Sequence, residues 1–313
     1  MSHVTWLPER SERALRSALA EVAPAFAAAT IELSNRPGSG PPEFRRGSAV
    51  LDGSHVVKFA WSEPAARSVV REGGVLGALE GTGLPLPRLL LAARTPALLL
   101  YRRIEGVPLT WERACGMSPP RKRVLARSLA PLLAALHRLA GALEAAGLDL
   151  GPPEAQAGCG RLRRDLLPLL DAARATWVED LVRHVERTLA APAGEPVLVH
   201  GDLHGWNLVI DPARDRVMGL VDLEGAAVGD RHFDLRYLPA QEAGLTLLRE
   251  VAQAYEEASG RAVDLERVMA WGALTDLGDA LWRTEQGVEV VGGPLPRRVD
   301  GLRLRLGRAG LGW

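Results

Sequence analysis

The chain has 313 residues, enough for one large domain or two lobes with a sizeable core. Lys plus Arg total 38 and Asp plus Glu total 38, so the formal net charge is zero. That balance excludes a whole-chain electrostatic footprint for nucleic acid or an anionic membrane, and points to recognition through a local site.

Two cysteines, Cys115 and Cys159, make neither a CxxC metal knuckle nor a disulfide framework, as suits a reducing cytoplasm. The first residues carry charges throughout and lack a signal-type apolar core. PRLLLAAR and PALLLYRR are too short, and too closely bounded by Arg and Pro, to span a bilayer. The expectation is a soluble, cytoplasmic protein with no nucleic-acid or membrane partner. Nothing in the sequence speaks to oligomeric state.

Residues 8–28 read as an amphipathic helix. TIELSN, EFRRGSAVLDG and SHVVKFAW follow as short β-rich runs, with Asp52-Gly53 as a hairpin signal between the second and third. RPGSGPP, between the first two, is too rich in Gly and Pro for regular structure. Ser62-Glu63-Pro64 starts a helix with a capping serine, an acid in the first turn and an early proline. Gly73-Gly74 weakens that helix. PRLLLAA and ALLLYRRI are two more strands, turning at Arg94-Thr95-Pro96. Five strands and one main helix make an antiparallel α+β lobe over residues 1–104.

From residue 105 to 313 the character is helical. RKRVLARSLAPLLAALHRLAGALEAAG and RDLLPLLDAARATWVEDLVRHVERTLA repeat apolar residues at three and four. VLVHGD, NLVID and RVMGLVDLE interrupt the helices as short β-runs, and residues 240–313 return to helix. The Arg121–Arg123 run reads as a solvated helix start, and His137, among leucines at helical spacing, as a packed core histidine. Trp271 and Trp282 read as packing residues.

VLVHGDLHGWNLVID, residues 197–211, admits three chemistries. A zinc-protease helix needs a glutamate where Gly201 stands, and two glycines in six residues oppose any helix. A non-haem iron face of His200, Asp202 and His232 needs a barrel that a helical second half does not supply. Phosphoryl transfer needs a carboxylate to accept a hydroxyl proton, oxygen ligands for a metal, and a lysine with a carboxylate partner for the nucleotide phosphates. Asp202 and Asn207 lie on one loop, and Asp222 ends the next strand, a hairpin away. Lys58 alternates with Val57 and Phe59 on a strand, and Glu72 lies on the following helix, within reach of it. His204 is read as shaping the loop.

On these residues the chain resembles the aminoglycoside phosphotransferase and choline kinase branch of the protein-kinase-like fold, over roughly residues 30–285. LVHGDLHGWNLVID looks like its catalytic loop (H-G-D-x-x-x-x-N), and GLVDLEGAAVGDRHFDLRYL like its metal-binding strand and the segment after it. EGGVLGALEGTGLPLPRLL and ALLLYRRIEGVPL look like the small-lobe helix, strand and hinge. The resemblance implies a bilobal fold and an ATP-dependent small-molecule kinase using Mg²⁺, with GTP as the alternative nucleotide. It implies Asp202 as catalytic base, Asn207 and Asp222 as metal ligands, and Lys58 on the α/β-phosphates, held by Glu72. Backbone from Arg102 to Ile104 should meet the adenine edge, while His200 and Asp234 support the catalytic loop. Gly38 and Gly40 are the candidates for a loop over the phosphates.

The acceptor is a small molecule with a hydroxyl: an aminoglycoside, sugar or amino alcohol. Glu224, Asp230 and Asp279, with Asp276 and Glu285, could line an acidic cleft for a cationic one. Residues 241–313 hold eleven acids against nine arginines, however, and solvation or pairing within helices is the favoured reading of these charges. A non-catalytic nucleotide-binding module would lack Asp202, Asn207 or Asp222. A protein kinase would need a longer segment than GAAVGDRHF after Asp222.

Overall fold

The computed structural model describes residues 3–34, 41–238, 245–288 and 293–308. Ser11 opens the first helix, α1 (Glu12–Val22), accepting the Ala14 amide on its hydroxyl at 3.1 Å. α1 is shorter than the 8–28 expected: Ala23, ahead of Pro24, leaves the helical region at φ −146°, and a 3₁₀ turn follows at Pro24–Phe26. Gly38 and Gly40 lie outside the described residues.

Strands β1 (Ile31–Leu33), β2 (Arg46–Leu51), β3 (His55–Ala60), β4 (Leu89–Arg94) and β5 (Ala97–Arg102) form one antiparallel sheet in the order β1-β2-β3-β5-β4. Asp52 and Gly53 both take positive φ, 47° and 67°, as a tight hairpin turn requires. Alternation then sorts the side chains. Val57 and Phe59 of β3 face α1, packed with Leu15, Leu19, Leu98 and Leu100. Leu99 and Tyr101 face the other way, onto Ala65, Ala66 and Val69 of α2 (Glu63–Ala78). Lys58 is on this α2 side.

Two expectations about α2 change. Ser62 does not cap it by its side chain; the hydroxyl donates instead to the Pro42 carbonyl, which ties α2 to the 3₁₀ turn at Pro42–Phe44. Gly73 is a packing device rather than a mere weakness. A Cβ at Gly73 would stand 2.7 Å from Leu99 Cδ2 and 3.4 Å from the Ala92 Cβ, so its absence lets α2 lie close on β4 and β5.

The larger lobe is helical: α3 (Trp111–Gly116), α4 (Pro119–Leu136), α5 (Ala140–Ala145), α6 (Cys159–Arg161), α7 (Ala172–Ala190), α8 (Thr246–Ser259), α9 (Leu265–Gln286) and α10 (Leu295–Arg308). Their leucine-rich faces bury a common core that includes Leu125, Leu129, Leu181, Leu248, Val268 and Leu277. Two small sheets are set into this lobe. β6 (Val107–Pro108) pairs with β8 (Leu208–Asp211), which pairs with β9 (Arg216–Leu220); β7 (Val197–Val199) pairs with β10 (Ala227–Gly229). β6 follows β5 after a four-residue connection, so the first sheet runs directly into the second lobe. This is the two-lobed α+β fold expected from the sequence.

Arg121–Arg123 is not simply solvated. Consecutive helical residues point about 100° apart, so three of them cannot share one face. Arg121 pairs with Asp215 at 2.7 Å, Arg123 with Glu250 at 3.0 Å, and Lys122 between them is buried. The start of α4 is thereby pinned to the β8–β9 turn and to α8. Among the described residues, no helix is long and apolar enough to cross a membrane.

Candidate active site

β3 and α2 bring Lys58 and Glu72 together. The Lys58 ammonium donates to Glu72 Oε1 and Oε2 at 2.7 and 2.6 Å, and to Asp222 Oδ1 at 2.7 Å. Burial disfavours the ammonium, but Glu72 and then Asp222 outweigh it, so the Lys58 pKa is raised and the charge is locked on. Burial likewise pushes Asp222 up, yet Lys58 beside it holds the carboxyl below its ordinary value. Glu72, 1% exposed, also accepts the Leu223 amide at 3.2 Å, fixing the backbone directly after Asp222. Asp222 itself is left-handed (φ 70°, ψ 59°), a conformation that Asp tolerates better than most residues.

The hairpin of β8 and β9 carries Asp222 back to the segment that bears Asp202 and Asn207: Leu208 pairs with Leu220, and the Val221 amide donates to the Asn207 carbonyl at 3.0 Å. Gly201, in the turn after β7 that leads into Asp202, takes φ 81°, and a Cβ there would stand 1.7 Å from the Gly225 carbonyl oxygen. Only glycine fits there.

Asp234 holds this turn from below. Its Oδ2 accepts the His200 amide at 2.8 Å and its Oδ1 the Gly201 amide at 2.9 Å. Burial alone would raise the Asp234 pKa, but His137 and the backbone donors keep it below the ordinary carboxylate value. His137 Nε2 lies 3.1 Å from Asp234 Oδ2, and its Nδ1 lies 2.8 Å from the Tyr255 hydroxyl. It is a packed residue, as expected, with a polar task at each nitrogen. Burial lowers the His200 pKa; as the neutral tautomer its Nε2 donates to the Val221 carbonyl at 3.0 Å, and its Nδ1 faces the Asp202 amide at 3.4 Å. His200 therefore clips the loop to the strand that bears Asp222.

Asp202 points into an open cavity of about 830 Å³. Burial would raise its pKa, but His204, Arg236 and Tyr237 around it bring the carboxyl down to about 2. The Tyr237 hydroxyl donates to Asp202 Oδ1 at 2.9 Å, and His204 Nε2 stands 3.4 Å from Oδ2. His204 also shapes the loop as expected, accepting the Trp206 amide on Nδ1 at 3.2 Å. The Asn207 amide nitrogen donates to the Asp202 carbonyl at 2.7 Å, while its Oδ1 accepts no hydrogen bond among the described residues.

Arg236 and Tyr237 were not singled out from the sequence. Both sit in DLRYL, three residues or fewer beyond Asp234, and that closeness was the available signal. Arg236, 5% exposed, donates to the Gly201 carbonyl at 2.8 Å and to Thr275 Oγ1 at 3.1 Å. Arg71 of α2 is a further unexpected tie, donating to the Glu224 and Ala226 carbonyls at 3.1 and 2.7 Å.

In the stretch between the lobes, the amides of Arg102 and Arg103 donate to Arg88 O at 3.4 Å and Ser54 O at 2.9 Å. The Ile104 amide has no such partner among the described residues, and the Ile104 side chain lies over Gly219 of β9.

The acids named as acceptor ligands separate. Glu224 lines the cavity, but its carboxylate is ion-paired with Arg46 and accepts from Ser68 at 3.3 Å. Asp279 also lines it, bonded to Arg283 at 3.0 Å and Arg298 at 2.8 Å. Asp230 lies elsewhere: it is buried, with Arg267 Nε at 2.6 Å, Trp271 Nε1 at 2.7 Å and His232 Nδ1 at 2.6 Å. Its place before a 3₁₀ turn (Arg231–Leu235) directs the side chain into the helical core rather than the cavity. Glu285 pairs with Arg161 at 2.6 Å, also away from the cavity lining. Trp271 packs edge-on against Phe233 and Trp282 against Phe44, in keeping with packing roles.

A family model described as the phosphotransferase enzyme family matches residues 35–271, well over half the chain. The chain belongs to the phosphotransferase enzyme family. The resemblance carried by HGDLHGWN thus holds across most of the span it predicted. Among curated relatives, the chain is 32% identical over 180 residues to aminoglycoside 3′-phosphotransferase from Streptomyces fradiae, covering 55% of this chain and 64% of that one. It is 28% identical over 236 residues to streptomycin 3″-kinase from Streptomyces griseus, covering 71% and 85%. The match spans as little as 23% of the length of other curated relatives. The GDP complex of an aminoglycoside 2′-phosphotransferase-IIIa variant superposes with a TM-score of 0.74 at 18% identity, over 96% of this chain and 98% of that one. At that identity the superposition establishes the shared fold.

Proposed function

We propose that this phosphotransferase-family chain moves the γ-phosphoryl group of ATP or GTP to a hydroxyl of a small molecule, with Mg²⁺ at the site. The observation that carries the reading is the convergence of Lys58, Glu72 and Asp222 one hairpin away from Asp202 and Asn207, beside a cavity open to an acceptor. Residues 1–104 would bind the nucleotide, and residues 105–313 would supply the catalytic loop and the acceptor cavity. Relatives bear GDP or ADP in solved complexes and are described as acting on aminoglycosides and a macrolide, which supports a nucleotide and a small hydroxylated acceptor for this chain.

The donor set fits a hard divalent cation. Carboxylate oxygens of Glu72, Asp222 and Glu224 lie within 4.8 Å of one another, and Asn207 keeps an amide oxygen to offer. Asp222 and Asn207 would hold Mg²⁺, which when bound neutralises charge on the transferring group. Lys58 would contact the α/β-phosphates while Glu72 keeps its ammonium charged. The Ile104 amide, without a backbone partner among the described residues, and the backbone from Arg102 would meet the adenine edge.

Asp202 performs the remaining step. Ionised at neutral pH, it orients the acceptor hydroxyl and takes its proton. A carboxylate held near 2 is a weak base, so proton transfer follows rather than leads the attack. Most of the rate would come from positioning and charge stabilisation. Consumption of ATP and GTP, measured against a panel of small hydroxyl compounds, tests this proposal. Asp202→Ala is expected to keep nucleotide binding and lose transfer; normal turnover by that variant overturns the assignment.

A further inference from the structure

We infer that the acceptor of this site carries an anionic group, a carboxylate or a phosphate, in addition to its reactive hydroxyl. The inference rests on the phosphotransfer reading above and adds the charge class of the acceptor to it.

The cavity that opens from Asp202 is walled on its far side by α9 and α10. Asp276, Asp279 and Arg283 come from α9; Arg297, Arg298 and Arg305 come from α10. Four guanidinium groups therefore face two carboxylates on this wall, within a lining that holds five arginines and five acids in all. Both carboxylates are already engaged. Asp279 accepts from Arg283 and from Arg298 Nη1 at 2.8 Å, while Asp276 pairs with Arg305 and lies 3.6 Å from Arg298. Arg297 lines the same cavity and has no carboxylate partner among the described residues.

A polyammonium acceptor needs free carboxylates. To gain them here it would have to separate two acids from three arginines in a partly enclosed site, where stripping a paired charge is costly. Three further acids, Asp202, Glu224 and Glu154, belong to the lining away from α9 and α10. Glu224 is held by Arg46, Asp202 is the proposed base, and Glu154 stands exposed on the loop before α6. At the catalytic end Arg236 spends its donors on the Gly201 and Phe233 carbonyls, Thr275 and Tyr237, with no carboxylate bonded to it among the described residues. A carboxylate or phosphate, by contrast, meets the planar N–H fork of Arg297, which matches its oxygens two at a time. Its hydroxyl would reach Asp202 while its charge rests on Arg297 of α10.

The test uses the full-length protein with ATP and Mg²⁺ and three groups of hydroxyl compounds: gluconate and glucose 6-phosphate, glucose and glycerol, and kanamycin and streptomycin. Transfer to gluconate or glucose 6-phosphate should exceed transfer to the neutral and cationic groups, and the better of the two tells carboxylate from phosphate. Arg297→Glu should raise the KM of that compound about tenfold with a smaller change in kcat, and Arg297→Lys should restore most of it. Preferred transfer to glucose, kanamycin or streptomycin overturns the inference and leaves the phosphotransfer reading standing. If ATP binds but no compound turns over, gluconate or glucose 6-phosphate must still bind by saturation-transfer NMR and lose binding in Arg297→Glu; failure of that also overturns it. Absence of ATP binding itself would remove the phosphotransfer reading first.

Discussion

The Tyr237 hydroxyl donates to Asp202 Oδ1 at 2.9 Å, and the same hydroxyl accepts from Arg236 at 3.1 Å. A residue from the segment after β10 thus sets the orientation of the proposed base. A hydrogen bond to a charged group is worth about 1.5–3 kcal/mol.

Removing it should affect the chemical step more than nucleotide binding. Tyr237→Phe is expected to lower kcat by about tenfold or more with the nucleotide KM little changed. Steady-state kinetics decide this; an unchanged kcat with a raised nucleotide KM would mean that Tyr237 serves the nucleotide side instead.

Gly73 and Gly77 lie one turn apart on α2 and predict opposite outcomes. A Cβ at Gly77 meets nothing within 4 Å, so Gly77→Ala should stabilise the fold by about 0.5–1 kcal/mol through helix propensity. A Cβ at Gly73 would press on the fully buried Leu99 at 2.7 Å. Gly73→Ala should therefore destabilise by about 1–3 kcal/mol and weaken nucleotide binding, because Glu72 moves with the helix away from Lys58. Urea denaturation of the two variants, with nucleotide titrations, checks both signs.

Local sequence carried much of this architecture. The β2–β3 hairpin was legible because Asp52-Gly53 has few other uses, and Lys58 because strand alternation separates it from Val57 and Phe59. Asp222 could be set near Asn207 because a short hairpin leaves few options for its ends. What was not legible depends on partners far apart in the chain. Arg46 meets Glu224, Arg71 meets the backbone at 224–226, and Arg298 and Arg305 meet Asp276, so no window of sequence contains both halves of a pair. Asp230 was misplaced for the same reason: its burial depends on Arg267 and Trp271 of α9. Of the acids read as solvated or paired within helices, Asp279 does pair with Arg283 within α9, whereas Asp276 and Glu285 meet arginines of other helices.

Asp234 should leave a pH signature in stability. Its folded pKa lies below the ordinary carboxylate value, so the stabilisation it gives is full above that value and is lost as pH falls through the folded one. Asp234→Asn is expected to cost about 3 kcal/mol near neutral pH, by leaving the His200 and Gly201 amides poorly matched and His137 without its carboxylate. The Tm gap between variant and wild type should narrow as pH falls from about 6 to about 3. A gap that stays constant over that range would show that Asp234 is not the titrating group.

The most direct test of the central claim is calorimetric titration of ATP into wild type and Asp222→Ala, each with and without Mg²⁺. Binding that Mg²⁺ strengthens in the wild type, with that gain abolished in Asp222→Ala while the variant stays folded, is the predicted result. Equal Mg²⁺ dependence in both proteins would contradict the assignment of Asp222 and, with it, of the phosphotransfer site.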